Sequence, residues 1–217
     1  MVYMKIHKIG HCCLVIEHKG LKIMTDPALF STGHGDVTGL DVLIITHEHQ
    51  DHLHVPSVEA VLANNPGIRI LTNASVHALL EIAGINAEIV AENETVVIND
   101  ITFTASGHDH AQIYNDIGLV ETTGFRIDDF WYPADAFTTP PSLNSPVNIL
   151  ALPVAGPWMK MQDAIDYALT FGDVTAFPVH NGFFAEPGPF HMIPERVFAN
   201  TSVKFVPLKN GEVLDIE

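Results

Sequence analysis

The sequence is poor in cysteine, and its two cysteines are badly placed to pair. Cys12 and Cys13 are adjacent in an apolar segment with the pattern of a strand, so their side chains should point to opposite faces. Side chains on opposite faces do not reach disulfide geometry, and neither cysteine has a partner at CxxC spacing. We therefore expect two free thiols in a reducing compartment.

Long apolar runs and targeting signals are also missing. No segment approaches the ~20 apolar residues that a membrane-spanning helix needs. Residues 1–7 lack the apolar core of a signal peptide. The sequence therefore predicts a cytoplasmic protein without membrane insertion.

Positive charge is scarce in this chain. Its 217 residues include 10 Lys and Arg against 26 Asp and Glu, which gives a formal net charge of −16. Such a surface repels nucleic acid and anionic membranes. We expect a small-molecule substrate and no nucleic-acid partner, and the composition is compatible with a homo-oligomer.

The distribution of apolar residues predicts one domain over residues 1–217. Hydrophobic residues make up 47% of the chain, and no linker or low-complexity tract divides it. Short strand patterns in residues 3–26 lead into alternating strands and helices, with helix patterns at residues 56–63, 74–83 and 161–171. A strand is also predicted over residues 117–126 and a proline-rich loop over residues 187–190. This alternation predicts an α/β or α+β domain, in which helices cover a sheet.

Histidine is concentrated after one strand. The apolar residues 41–45 predict a buried strand, and the motif His-x-His-x-Asp-His follows it directly. His47 and His49 are two residues apart and can point the same way from extended backbone. Asp51 and His52 follow in the turn and can face a second ion. Because imidazole and carboxylate are metal ligands, this spacing suits two adjacent metal ions better than one.

Three further strand patterns end in residues that can bind metal. One ends in glycine followed by His108, the predicted third ligand of the first ion, with His110 as the alternative. An aromatic strand ends near Asp135, whose carboxylate can bridge two ions. A third strand ends at His180, which we assign to the second ion.

Two residues near other strand ends allow two interpretations each. His11 is either an ordinary core or surface histidine or a residue of the pocket. Asp26, which precedes a proline, is either a turn former or a residue that orients the histidine loop.

With its His-x-His-x-Asp-His motif after a strand, the chain resembles the metallo-β-lactamase superfamily. Within that superfamily it is similar to the lactonase-like branch of small metal-dependent hydrolases, such as ascorbate-6-phosphate lactonases. The resemblance covers nearly the whole chain and implies a four-layer αββα sandwich, with two mixed sheets face to face and helices outside. The sequence departs from the family around Asp135, where alanines flank the carboxylate in place of the common Gly-Asp-Thr. The implied ligands are His47, His49 and His108 for one ion, Asp51, His52 and His180 for the other, and Asp135 between them.

This ligand set predicts a hydrolase. Two ions about 3.5–4 Å apart hold a bridging water as hydroxide near neutral pH and stabilise the charge that forms on the substrate. We expect attack on a lactone, ester or phosphodiester, with Asp51 as the catalytic residue that orients the water or accepts its proton. The many histidines favour zinc, and manganese is the alternative. A phosphodiesterase or nuclease of the same superfamily and a non-catalytic metal-binding protein are the competing hypotheses.

Overall fold

A computed structural model describes residues 3–117, 119–142, 145–186 and 188–216. Within these ranges the chain forms fourteen strands and four α-helices. The strands of the N-terminal half are β1 (Met4–Gly10), β2 (Cys13–His18), β3 (Leu21–Thr25), β4 (Val42–Ile45), β5 (Arg69–Thr72), β6 (Glu88–Ile89), β7 (Thr95–Ile98) and β8 (Ile101–Ser106). The later strands are β9 (Gly124–Ile127), β10 (Phe130–Tyr132), β11 (Ile149–Pro153), β12 (Val174–Val179), β13 (Val203–Phe205) and β14 (Val213–Ile216). The helices are α1 (Val55–Asn64), α2 (Ala74–Ile82), α3 (Met161–Leu169) and α4 (Gly188–Phe198).

The strands form two sheets of seven. The first has the order β14-β1-β2-β3-β4-β5-β6, and the second has the order β13-β12-β11-β10-β9-β8-β7. Both are mixed, since antiparallel pairs such as β1–β2 and β8–β9 occur beside parallel pairs such as β3–β4 and β11–β12. The predicted pair of mixed sheets is confirmed.

Three apolar clusters separate the layers. The central cluster joins side chains of both sheets, among them Ile16 and Phe103, which places the sheets face to face. A second cluster packs α1 and α2 on the first sheet, with Val58 and Leu80 against Leu43. The third packs α3 and α4 on the second sheet, through residues such as Ala164 and Phe198. Helices therefore cover the outer faces of the two sheets, which is the predicted αββα sandwich.

The two cysteines follow the alternation of a strand. Cys12 belongs to the cluster between the sheets, whereas Cys13 belongs to the cluster under α1 and α2. Both thiols are free and buried. Burial raises the pKa of each thiol, that of Cys12 well above its usual range, so both stay protonated.

Strands of both sheets deliver their C-terminal ends to one edge of the sandwich. In the first sheet β1 is antiparallel to β2, β2 is antiparallel to β3, and β3 is parallel to β4, so β1, β3 and β4 run the same way. In the second sheet β8, β10 and β12 run the same way for the same reason. The residues that follow these ends are therefore brought together, although they are distant in sequence.

The backbone is strained at several of these strand exits. His11, Asp26, Ala134 and His180 adopt left-handed conformations, with φ between +36° for Asp26 and +59° for His180. A non-glycine residue in a sparsely populated region costs on the order of 1–3 kcal/mol and persists where its surroundings hold it. Such positions are typical of functional sites.

Two sequence predictions of secondary structure were wrong. The strand predicted over residues 117–126 is replaced by isolated bridges, and regular pairing begins only at Gly124 in β9. The loop predicted over residues 187–190 is largely the first turn of α4, because Pro189 stands in a helix's first turn, where it costs no hydrogen bond. Gly118 and Pro187 lie outside the described residues. In the part of the chain that is described, no helix is both long and apolar enough to cross a membrane.

Candidate metal centre

The histidines that follow β4 form the first half of the site. His47 is buried and His49 is half-buried, and their ring centroids are 4.8 Å apart. The ring of His110 lies 4.6 Å from that of His49. One ligand atom from each of His47, His49 and His110 lies within 4.8 Å of the others, which is close enough for one metal ion. The structure thus brings together the two predicted histidines and the predicted alternative, His110.

The structure does not bring His108 to this group. Its side chain is 66% exposed, and its Nδ1 lies 3.0 Å from a carboxylate oxygen of Asp109. Gly107, in a left-handed conformation with φ of +91°, turns the chain outward before His108. The chain returns to the sheet edge at His110, whose N–H donates to the carbonyl of Val120 at 3.1 Å. His110 is buried and takes the position that the sequence analysis assigned to His108.

A second group lies beside the first. Ligand atoms of His11, Asp51, His52 and His180 all lie within 4.8 Å of one another. Oδ2 of Asp51 is 3.5 Å from Nε2 of His180 and 4.0 Å from Nε2 of His52. The three residues predicted for the second ion therefore come together, and His11 joins them.

Asp135 lies between the two groups and touches both. Its Oδ2 is 2.7 Å from Nε2 of His180 and 3.3 Å from Nε2 of His110. Its Oδ1 is 3.1 Å from Nε2 of His52, and Nε2 of His47 is 3.9 Å from Oδ2. A carboxylate so placed can bridge two cations with its two oxygens.

Hydrogen bonds fix the tautomers of the histidines around Asp135. Nδ1 of His110 and Nδ1 of His180 each lie 2.6 Å from a backbone carbonyl, which can only accept a hydrogen bond. Nδ1 of His52 lies 2.8 Å from the carboxylate of Asp26. Each Nδ1 therefore has the proton, and each Nε2 can direct a lone pair at the centre. This arrangement of a ligand nitrogen backed by an acceptor is typical of metal-binding histidines.

Several polar atoms at the centre are buried without a hydrogen bond among the described residues. They are Nε2 of His47, His52 and His180 and Oδ1 of Asp135. Nε2 of His52 and Nε2 of His180 lie 3.1 and 2.7 Å from oxygens of Asp135, but in the tautomers above neither nitrogen has a proton to donate. Buried polar atoms without partners are costly and rare. A set of converging lone pairs that lacks hydrogen-bond donors fits divalent cations.

The electrostatics of the centre favour positive charge. Burial alone would lower the pKa of His180, but the Asp135 carboxylate more than offsets this and raises it to about 9. The pKa of His52 is likewise raised well above its usual range by Asp135 and Asp26, against the effect of burial. Burial alone would raise the pKa of Asp135, but His180 and His52 hold it well below its usual range. Metal cations bound here would supply the positive charge that the carboxylates favour, and the histidines would not need an additional proton.

His11 has the opposite tautomer to the histidines around Asp135. The backbone N–H of Gly182 donates to its Nδ1 at 3.0 Å, so the proton is on Nε2, which lies 3.3 Å from Oδ2 of Asp51. Burial, the largest influence, lowers the pKa of His11 to about 4 and keeps the ring neutral at pH 7. His11 is therefore a hydrogen-bond donor to Asp51. The sequence left its role open, and its place directly after β1, at the edge where the other site residues lie, was the available signal.

Asp26 supports the histidine loop from the neighbouring strand. Its carboxylate accepts hydrogen bonds from the backbone N–H of Thr46 at 2.9 Å and from the Thr46 hydroxyl at 2.8 Å. It also accepts from the Tyr132 hydroxyl and faces Nδ1 of His52. Of the two interpretations, the geometry supports the residue that orients the loop.

Trp158 contacts the centre and was missed in the sequence. Its Nε1 donates to Oδ2 of Asp135 at 3.1 Å, and its ring meets those of His110 and His180 at 6.0 and 5.9 Å. Gly156 permits this position, because a Cβ there would lie 2.7 Å from Nε1 of Trp158. The sequence signals were the glycine two residues before the tryptophan and the place of this segment directly after a buried strand.

The centre opens into a cleft of about 310 Å³. His49, Asp51, His110, Asp135 and His180 line it, together with Trp158. A larger cavity of about 600 Å³ beside Asn181 contains none of the predicted ligands. The chemistry of the site therefore points to the smaller cleft.

Similarity to known proteins agrees with this geometry. The model of a family described as the beta-lactamase superfamily domain matches residues 5–180. A protein of Mycobacterium tuberculosis is 30% identical over 188 residues, which cover 84% of this chain and 86% of that protein. A UPF0173 metal-dependent hydrolase of Aeropyrum pernix is 31% identical over 147 residues, which cover 66% of this chain and 52% of that protein.

A solved structure supports the fold. The metallo hydrolase Igni18 of Ignicoccus hospitalis matches with a TM-score of 0.70 and 17% identity, over 99% of each chain. At this identity the match shows a shared architecture, the same sandwich that the family resemblance implied.

Proposed function

Because this chain belongs to the metallo-β-lactamase superfamily and is a metal-dependent hydrolase, we propose that it cleaves a small-molecule lactone or ester at a centre of two divalent ions. The observation that supports this most is the convergence of Nε2 atoms from His52, His110 and His180 on the two oxygens of Asp135. Each of these rings has its other nitrogen held by an acceptor. Acceptors placed behind the rings in this way are typical of histidines that bind metal.

We assign His47, His49 and His110 to one ion and Asp51, His52 and His180 to the other, with Asp135 shared. The first set offers three imidazoles, and the second offers two imidazoles and a carboxylate. Nitrogen-rich sets of this kind favour zinc, with manganese as the alternative for the site that has more oxygen ligands.

Ions bound by these residues would lower the pKa of a water molecule and polarise the substrate carbonyl. Asp51 faces the cleft with 23% of its side chain exposed. Burial alone would raise its pKa, but the neighbouring side chains of His11 and His180 hold it well below its usual range, so it stays ionised at neutral pH. An ionised carboxylate at this place can accept a hydrogen bond from the attacking water and orient it.

The protein's own side chains restrict how Asp51 and Asp135 can move. His11 donates to Asp51 from Nε2, and Trp158 donates to Asp135 from Nε1. Each carboxylate thus has one oxygen held by a neutral N–H group. Neither the protonated Nε2 of His11 nor the indole N–H of Trp158 can bind a metal ion. Fixed donors of this kind keep the reacting geometry without reorganisation during the reaction.

Charge argues for a neutral substrate. The formal net charge is −16, and neither lysine nor arginine is among the described residues that line the cleft. An RNA strand or a phosphorylated lactone would therefore depend on the metal centre alone for its attraction to a strongly acidic protein. Lactones and carboxylic esters bring no negative charge to the cleft, and we prefer them to phosphodiesters for this reason.

The test is a substrate panel with the Asp51→Ala variant. The metal-loaded protein should hydrolyse lactones or esters in preference to phosphodiesters, and Asp51→Ala should abolish turnover while the circular dichroism spectrum is retained. Asp109→Ala is the matched control, since that carboxylate is 89% exposed and contacts only the exposed His108 among the histidines. Retained activity in Asp51→Ala would contradict the assignment, and turnover of phosphodiesters alone would support the competing hypothesis.

A further inference from the structure

An apolar cavity adjoins the metal cleft. It has a volume of about 420 Å³ and lies between the segment after β11 and the segment after β12. Pro157 lines both the cavity and the cleft, so the two spaces are neighbours that share this residue as a wall. A volume of this size falls in the range of small-molecule pockets.

The lining of this cavity contains no polar side chain. Its nine described lining residues are aliphatic, aromatic, glycine or proline, and they include Met159, Met161, Phe184 and Phe190. The cleft beside it contains the histidines and carboxylates. The site thus has a reactive polar part and an adjacent apolar part, which is the usual division between a reacting group and the remainder of a ligand.

Aromatic rings connect the two parts without a break. The ring of Phe183 lies 5.8 Å from that of His180 and 5.5 Å from that of His11. Phe183 and Phe184 are 4.6 Å apart, and Phe184 stacks on Phe190 at 4.4 Å. Phe183 remains 39% exposed, so part of its apolar surface is open to a ligand.

From these observations we infer that the substrate has an apolar alkyl or acyl arm, which binds in the cavity lined by Met159, Met161, Phe184 and Phe190 while its ester or lactone group lies at the metal cleft. This inference rests on the proposed function. It excludes small polar substrates, such as phosphorylated sugar lactones, as the preferred class. Burial of apolar surface is the expected source of this preference.

The experiment is a chain-length series on the metal-loaded wild-type protein. Hydrolysis of γ-butyrolactone, γ-hexalactone, γ-octalactone and γ-decalactone is measured, and kcat/KM should rise about fourfold for each methylene that enters the cavity. In parallel, calorimetry measures the binding of butanoate, hexanoate and octanoate, which resemble hydrolysis products, and the affinity should rise by a similar factor.

The two readouts separate this inference from the proposed function. Hydrolysis with a flat or falling dependence on chain length would overturn the inference while leaving the proposed function standing. An affinity for carboxylates that rises with length, without hydrolysis of any lactone, would support the cavity assignment and contradict the proposed function. A flat series in both measurements would also overturn the inference.

A substitution in the cavity tests where the apolar arm of the substrate binds. Met159→Gln is nearly isosteric and places an amide in the cavity, so it should reduce the ratio of kcat/KM for γ-octalactone over γ-butyrolactone about tenfold. Met192→Gln is the matched control, because Met192 is 66% exposed and does not line this cavity. An equal effect of both substitutions would contradict the assignment, and the wild-type series stays informative if Met159→Gln folds poorly.

Discussion

The carboxylate of Asp26 lies 2.8 Å from Nδ1 of His52 and directs the Nε2 of that histidine towards Asp135. Both side chains are fully buried. The same carboxylate accepts two hydrogen bonds from Thr46, the residue before the first histidine of the motif. One residue at the end of β3 therefore fixes the loop that follows β4.

Replacing this carboxylate should weaken metal binding. We expect Asp26→Asn to lower metal affinity about 10- to 100-fold, because partners behind a metal-binding histidine fix its tautomer and raise its basicity. Competition with a chelator of known affinity measures the change. Asp128→Asn is the matched control. Asp128 lies 2.8 Å from a ring nitrogen of the buried His18, and neither residue belongs to the candidate centre. Equal metal affinities in the two variants would contradict the role given to Asp26.

His110 and His108 should behave differently when each is replaced by alanine. His110→Ala removes a nitrogen that lies 3.3 Å from Asp135, so bound metal should fall towards one ion per chain. The loss of kcat/KM should exceed the factor of about 10 to 100 that is typical when a partner behind a metal ligand is removed. His108→Ala should leave both unchanged, since that side chain is 66% exposed. Elemental analysis of both variants decides the matter, and metal loss in His108→Ala alone would reverse the assignment.

His11 should affect turnover more than metal content. Since its Nδ1 accepts from Gly182, its Nε2 has the proton and donates to Asp51. We therefore expect His11→Phe to retain about two ions per chain and to lower kcat by about 100-fold, the scale of a lost hydrogen bond at a reacting group. His11→Gln, which can still donate from its amide, should recover part of this loss. Loss of one ion in His11→Phe would show that His11 is a ligand.

Lys8 predicts a pH-dependent stability. Its amino group is fully buried, and Nζ donates to the carbonyl of Pro178 and the side chain of Asn181. Burial lowers its pKa from 10.5 to about 7, so between these values the unfolded chain binds a proton that the folded chain does not. The free energy of unfolding should therefore rise with pH between about 7 and 10.5. As the pH falls towards 7, the stability gained from the neutral form of Lys8 is lost.

Chemical denaturation of the wild type and Lys8→Met between pH 7 and 10 measures this effect. The difference between the two proteins isolates Lys8, because the other titrating groups are common to both. We expect a stability difference that changes steadily with pH across the window. A difference that is constant with pH would contradict a depressed pKa for Lys8.

Much of the site could be predicted because its largest part is local in sequence. His47, His49, Asp51 and His52 lie within one loop after one buried strand, so a short pattern specifies their proximity. Asp135 and His180 could be placed because each follows the end of a predicted strand. The sandwich itself followed from the resemblance, since periodicity indicated only sheets covered by helices.

The remaining parts depend on backbone conformations that the sequence pattern does not specify. Gly107 turns the chain outward, and this decides between His108 and His110. The contact of Trp158 with Asp135 depends on the space above Gly156. The role of His11 depends on a hydrogen bond from Gly182, a residue 171 positions later in the chain. Asp128 pairs with His18 and Lys19 across the two sheets, between residues about 110 positions apart in the chain.

The most direct test of the two-ion centre is the metal content of the wild-type protein, measured by elemental analysis after purification without chelator or added metal. The ligand sets around Asp135 predict about two ions per chain, zinc or manganese. One ion or none, even after dialysis against zinc or manganese, would contradict the binuclear centre.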